Sequence, residues 1–344
     1  MPRDLASLNA ELPVWAAPMA GGPSTPAMVI AAAGAGSLGF LAGGYKSADA
    51  LAAQIAEVRA ARVAFGVNLF APNPVLVATP DYRAYARTLQ PEADRYGLTL
   101  PAEQPLNDDD DAWSNKIALL LESPVPLVSF TFGLPPGDAV QALQNAGSLV
   151  AQTVTSPEEA LAAAQAGVDA LVVQAPAAGG HSATFTPDRP LAGADLPDLV
   201  RDIRQAVGLP VIATGGIATP EGNTAALRAG AEATLVGTVL LRTHESGASE
   251  AHKAALTDPA FTETTLTHAF TGRPARGLRN RFIDTYEPVA PLGYPALHHL
   301  TTGLRKAAAA AGDTDLVHLW AGTGWREARA ESVADALGRL AAGR

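Results

Sequence analysis

Val173-Gln174-Ala175-Pro176-Ala177-Ala178-Gly179-Gly180-His181 joins an apolar run, Ala170 to Val173, to a loop of small residues. The run has the length and composition of a buried strand, and Gln174 is the last side chain that strand delivers to the edge of the fold. Two glycines then let the backbone bend close to another group and present His181.

Working outward, the same unit recurs along the chain. Leu12–Ala17, Ser37–Leu41, Val63–Leu69, Pro126–Phe130, Ser148–Gln152, Asp169–Gln174, Pro210–Thr214 and Ala233–Val236 read as strands. Ala-rich helical stretches alternate with them: Ser24-Thr25-Pro26 to about Ala33, Ser47–Ala60, Asp138–Asn145, Pro157–Ala166 and Thr219–Ala229. The first two open on cap residues, with Pro26 suited to a first turn. Strands apolar on both faces and alternating with helices require a parallel sheet. Eight such units predict a closed (β/α)8 TIM barrel, with a doubly wound open sheet as the alternative. The barrel is favoured because Pro18-Met19, Gly43-Gly44, Asn68, Gly133, Gln174, Gly216 and Gly237-Thr238 all fall at strand C-terminal ends, where barrel enzymes keep their sites. Gly34-Ala35-Gly36-Ser37-Leu38-Gly39 has the letters of a dinucleotide fingerprint but lies between a helix and the next strand, so it reads as a tight turn.

The whole chain, 1–344, reads as one domain with an insertion at about 70–113 and a helical extension over about 239–344. The insertion holds Tyr82, Tyr85, Tyr96 and the run Asp108-Asp109-Asp110-Asp111, read as a solvated turn or helix start rather than a metal site. In the extension, a loop is expected around Gly272–Arg281 and a helix over Ala307–Ala311 with Gly312 as its stop.

Composition sets limits on function. A net charge of −10 disfavours nucleic acid or an anionic membrane as a partner. The absence of cysteine excludes disulfides, thiolate catalysis and iron–sulfur clusters. No signal pattern opens the chain and no long apolar window interrupts it, so a cytoplasmic location is expected, with a homo-oligomer open.

Four groups of residues can carry chemistry. Gly215-Gly216 and Gly237-Thr238 end the seventh and eighth strands, which are neighbours in a closed barrel. Their backbone N–H groups can cradle the phosphate of a cofactor or substrate. Asn68 and Gln174 are amides able to match a flavin's alternating donors and acceptors, or simply to cap strand ends. Pro18-Met19 could meet a flat ring or belong to the core. Of seven histidines, His181 alone follows a Gly-Gly hinge on the active face, where an imidazole can act as a base or stabilise developing negative charge. No histidine set has zinc spacing, and no metal is expected.

The stretches Ala17–Pro26, Phe65–Phe70, Val128–Gly133 and Gln174–His181, with Thr214–Ile217, Gly237-Thr238 and Gly272–Leu278, resemble the motifs of class I nitronate monooxygenases, formerly 2-nitropropane dioxygenases. The resemblance spans about Pro13 to Gly322. It implies a barrel that binds FMN and oxidises alkyl nitronates, propionate 3-nitronate in particular, with O2 to a carbonyl compound and nitrite. The implied cofactor-binding set is Pro18, Met19, Asn68, Gln174, Gly179, Gly180, Gly215, Gly216, Leu235, Val236, Gly237 and Thr238, with His181 facing the substrate. The loop departs from the family's usual Gly-Glu-Ala-Gly-Gly-His-Arg-Gly, lacking its Glu and Arg. Leu235 stands where Gln is usual, and His298 stands where the family's tail has a second tyrosine after Tyr294. Other readings are a related flavin barrel that uses NAD(P)H, as a quinone or enoyl-thioester reductase, and a flavin-binding protein without turnover.

Overall fold

A computed structural model describes residues 4–104, 106, 109–191 and 193–343. Eleven strands occur among them: β1 (Val14–Ala16), β2 (Phe40–Ala42), β3 (Gly66–Ala71), β4 (Leu127–Phe132), β5 (Leu149–Val154), β6 (Ala170–Gln174), β7 (Gly180–His181), β8 (Val211–Thr214), β9 (Ala233–Val236), β10 (Thr264–Thr267) and β11 (Ala275–Leu278). Eight form one parallel sheet in the order β1-β9-β8-β6-β5-β4-β3-β2. The Ala16–Gly39 bridge and the Ala16 N–H bond to Leu38 O, 2.8 Å, bring β2 back to β1. This is the (β/α)8 barrel that the alternation predicts.

The strands are short, and nearly every residue in them is buried. Alternate side chains serve two cores. Trp15, Phe40, Leu127, Leu149, Val172, Ile212 and Leu235 fill the barrel interior, with Leu5 and Leu8 of an N-terminal 3-10 turn. Val14, Leu41, Val67, Val128, Val173, Val211 and Val236 pack outward against helices such as Pro26–Gly34, Leu196–Ala206 and Val333–Ala341. The helices begin where capping chemistry predicts, with Thr25, Ser47, Ser156 and Thr219 each accepting a backbone N–H of the first turn.

Two features were not legible. The insertion carries a helix, Thr79–Asp94, whose Tyr82, Tyr85 and Leu89 share a third core with Leu241, Phe270, Phe282, Leu297 and Leu304 of the C-terminal region. The insertion and the tail therefore form one body. That C-terminal region is also not purely helical: β10 and β11 lie within it and pair antiparallel with each other, and β11 pairs antiparallel with β7, Ala275 opposite His181 and Arg276 opposite Gly180. The loop expected at Gly272–Arg281 is in part a strand, Ala275–Leu278, paired along its length with the nearby β10 and at its start with a two-residue segment nearly a hundred residues upstream that no local pattern announces. Of the four aspartates, Asp108 lies outside the described residues. Asp111 lies in the turn that starts the helix Trp113–Glu122, as read, but it is not solvated: it accepts the Tyr45 N–H and pairs with buried Lys116 at 2.7 Å.

Candidate active site

A cavity of about 980 Å³ opens at the C-terminal ends of the barrel strands and is roofed by the C-terminal region. Every residue of the expected cofactor set lines it, as does His181.

At one end the backbone crowds into a cradle. Gly215 and Gly216 hold φ of 106° and 81°, conformations that favour glycine. A Cβ on Gly179 would stand 2.5 Å from Gly322 N and 2.7 Å from Ala321 C. Gly322 N donates to Thr238 Oγ1 at 2.9 Å, and Thr323 N donates to Ala177 O. The tail segment Ala321–Thr323 thus closes a ring with the loops after β6, β8 and β9. The N–H groups of Gly216 and Gly237 make no hydrogen bond with the described residues. Donors gathered this way suit a phosphate. The small-residue run Ala321-Gly322-Thr323-Gly324 was the available signal for this contribution.

The floor carries polar groups. Asn68 lies in mid-strand, since β3 continues to Ala71. Its Nδ2 donates to Ser129 O (3.2 Å), Ser129 Oγ (2.9 Å) and Thr131 Oγ1 (3.0 Å). The carbonyl among these can only accept, which fixes the amide orientation. Its Oδ1 is left with no partner among the described residues, as an acceptor for a ring N–H. The Met19 N–H is taken by Ser24 Oγ at 2.8 Å, so Met19 offers the cavity its side chain, which lies against Gly237. Gln174 spends its amide on the loop that follows: Oε1 accepts the Ala183 N–H at 2.8 Å and Nε2 donates to His181 O at 3.3 Å. Leu235 points into the barrel core and Val236 outward to the helices, so what they offer a ligand is backbone.

His181 sits among the rings of Phe132, Tyr294 and Trp320, with centroids at 5.6, 5.7 and 5.5 Å. Phe132 reaches this position at a φ of 81°, a strained backbone for a bulky residue that costs roughly 1–3 kcal/mol. Burial, then the cations Arg273 and Arg305, push the His181 imidazole down to about 3, so it is neutral. Its tautomer follows from Thr271. The Thr271 hydroxyl donates to Arg273 O at 3.2 Å, so its oxygen must accept from His181 Nε2, 2.9 Å away. Nδ1 therefore keeps the free lone pair and makes no hydrogen bond with the described residues.

Arg273 holds this arrangement together. It is fully buried, lies 4.2 Å over the Phe132 ring, and donates to Asn73 O, Ser182 O and Thr184 O from three different nitrogens. Thr184 is held again by Glu159, whose carboxylate also accepts the Phe185 N–H. The segment after His181 is thus clamped between a buried cation and a buried carboxylate. Next to this group lie His252 and His318, which contact Trp320, and His298 and Arg305, which contact Tyr294 and His318 respectively. Burial pushes His252 down to about 4 and, with Arg305, His298 to about 2 and His318 well below the usual range. Among the described residues no group of three or more His, Asp or Glu side chains could hold a metal ion, and no helix is long and apolar enough to cross a membrane.

Sequence reasoning found His181 and the glycines but gave no role to Thr271, Arg273, Arg305, Trp320 or His318. Arg305 alone left a local signal. It falls on the apolar stripe Leu297, Leu300, Leu304 and Ala308 of the helix Ala296–Ala310, where a charge is out of place.

Comparison with known proteins agrees with this geometry. Residues 4–343 match the family model described as nitronate monooxygenase. A probable nitronate monooxygenase of Staphylococcus aureus strain Newman is 36% identical over 322 residues, covering 92% of this chain and 89% of the relative. The crystal structure of a nitroalkane oxidase from Streptomyces ansochromogenes is 44% identical and superimposes with a TM-score of 0.91 over 98% of this chain and 97% of that one. FabK from Thermotoga maritima, 25% identical, gives a TM-score of 0.75 over 98% and 94%.

Proposed function

Because the chain belongs to the nitronate monooxygenase family, whose members are flavin-dependent oxidoreductases of nitro compounds, we propose that it binds FMN and oxidises alkyl nitronates of the propionate 3-nitronate type with O2, yielding a carbonyl compound and nitrite. The observation that carries this reading is the charge of the inner cavity wall. Arg305 is a buried guanidinium on that wall and Arg273 a second one behind the Phe132 ring that lines it; neither is in an ion pair among the described residues, and the histidines beside them are neutral. Of the aspartates that line it, Asp111 pairs with buried Lys116 and Asp109 with His299. Such a wall favours an anion, and a nitronate is one.

The residues present fit a flavin. The glycine ring from Gly179 to Gly322 suits its phosphate, and Asn68 Oδ1 suits an N–H of its ring. When bound, the flavin supplies the electron acceptor and passes the electrons to O2. The protein's part is to hold the substrate carbon beside His181 Nδ1, which can take a proton from the neutral nitro form. The field of Arg273 and Arg305 stabilises the resulting anion, and the rings of Phe132, Tyr294 and Trp320 exclude water. An anion formed there also raises the basicity of His181, which eases the proton transfer.

The test is direct. The purified protein should be yellow with FMN and should consume oxygen and release nitrite when propionate 3-nitronate is added in air. Absence of both would sink the reading. Anaerobic bleaching of the flavin by NADH or NADPH would favour a reductase instead.

A further inference from the structure

We propose that Arg305, framed by Thr302, His298 and His318, is a second anion subsite that takes a small planar oxyanion: either a carboxylate carried by the substrate or the nitrite released from it. The proposal rests on the nitronate reading for what the anion is, but not for where it binds.

The helix Ala296–Ala310 turns Arg305 inward, leaving it 5% exposed. Its Nε donates to Thr301 Oγ1 at 3.0 Å, and Nη2 donates to His298 O at 2.9 Å and to Thr302 Oγ1 at 3.0 Å. Nη1 reaches only the His318 ring, 3.1 Å from both Nδ1 and Nε2, and a neutral imidazole can accept through just one of these. Of the two Nη1 hydrogens, one has no acceptor among the described residues, and Thr302, Arg305 and His318 all line the cavity. Burial lowers Arg305 to about 10, so it remains a cation at neutral pH. Every partner is neutral. A guanidinium taken from water without a counter-charge is destabilised, and an oxyanion arriving at its open edge offsets that in the low-dielectric interior.

This subsite is separate from the two already described. None of its contacts comes from the glycine cradle. The Trp320 indole neighbours both regions, 5.5 Å from the His181 ring and 5.2 Å from the His318 ring. A substrate whose reacting carbon lies at His181 would reach Arg305 with a group a few bonds away. Thr302 Oγ1 is committed as a donor to His298 O at 2.6 Å, which keeps its hydrogen out of the subsite.

The flavin-loaded enzyme tests it. Sodium propionate and sodium nitrite are titrated by calorimetry into the wild type, Arg305→Met and Arg305→Lys. The expected result is that Arg305→Met weakens at least one of the two anions tenfold or more, with Arg305→Lys between. In parallel, kcat/KM is measured for propionate 3-nitronate and for the nitronate of 1-nitropropane, which has no second anionic group. A tenfold fall in the ratio of the two, carried by KM, with weakened propionate, identifies the substrate carboxylate. Weakened nitrite with an unchanged ratio identifies the product. Unchanged binding of both anions in an Arg305→Met protein that keeps its flavin overturns the proposal. If that variant loses its flavin, Arg305→Gln, which removes the charge but keeps an amide donor, replaces it under the same criteria. Turnover of neither nitronate, with Arg305-dependent anion binding intact, sinks the nitronate reading and leaves the subsite standing.

Discussion

His181 and Thr271 are joined Nε2 to Oγ1 at 2.9 Å, and the threonine proton is already committed to the Arg273 carbonyl. This pair decides which nitrogen of the histidine can act. It is made across ninety residues of chain, between β7 and the turn before β11.

Thr271→Val should therefore leave Nε2–H without an acceptor and release the tautomer. We expect kcat/KM for the neutral nitroalkane, which needs the base, to fall about 10- to 100-fold, equivalent to roughly 1.4–3 kcal/mol. Flavin content should be unchanged and Thr271→Ser should recover most of the activity. Oxygen-uptake kinetics on the three proteins check this.

Gly179→Ala should act on the cofactor. Its Cβ would meet Gly322 N at 2.5 Å and Ala321 C at 2.7 Å, backbone atoms that cannot swing aside. The tail must withdraw from the cradle, so we expect flavin affinity at least tenfold weaker, measured by ultrafiltration and flavin fluorescence.

Arg273→Lys keeps the charge but not the fork. One ammonium cannot serve carbonyls of Asn73, Ser182 and Thr184 together, and the stacking on Phe132 is lost. Unfolding free energy should drop by about 2–4 kcal/mol in a denaturant titration, with activity lost disproportionately because the loop carrying His181 is released.

Stability should fall in acid. His181, His252 and His298 are held down to about 3, 4 and 2, and His318 also lies low. The unfolded chain binds these protons near pH 6.5 and the folded chain does not, so stability is fully present above pH 6.5 and is lost as pH falls toward 4. The slope is at most about 1.4 kcal/mol per pH unit for each histidine, less where the cavity admits water. Melting temperatures from pH 7 to 4.5 check the sign, and His298→Phe should flatten the curve.

Much of the site was legible because it is local. A strand end followed by two glycines and a histidine, and glycine pairs at neighbouring strand ends, are properties of short stretches, and Gly179, His181, Gly216 and Thr238 do line one cavity. Asn68 was read at a strand end but lies in mid-strand, because whether β3 continues past Leu69 depends on its pairing with Phe130 to Phe132 of β4. Arg305 was missed although its place on an apolar stripe was readable. A charge in a core position carries meaning only when what surrounds it is known.

By itself the sequence determined the barrel. Strands buried on both faces and alternating with capped helices have one economical solution, and each strand's composition carries that information within a few residues. Only the tertiary structure decided the chemistry of His181: its neutral state, its tautomer, the clamp from Arg273 and Glu159, and the cation Arg305. The physical reason is that protonation and tautomer are set by burial and by partners within a few ångströms. Those partners come from segments that are neighbours in space because β11 pairs with β7, a pairing that leaves no periodicity in the chain.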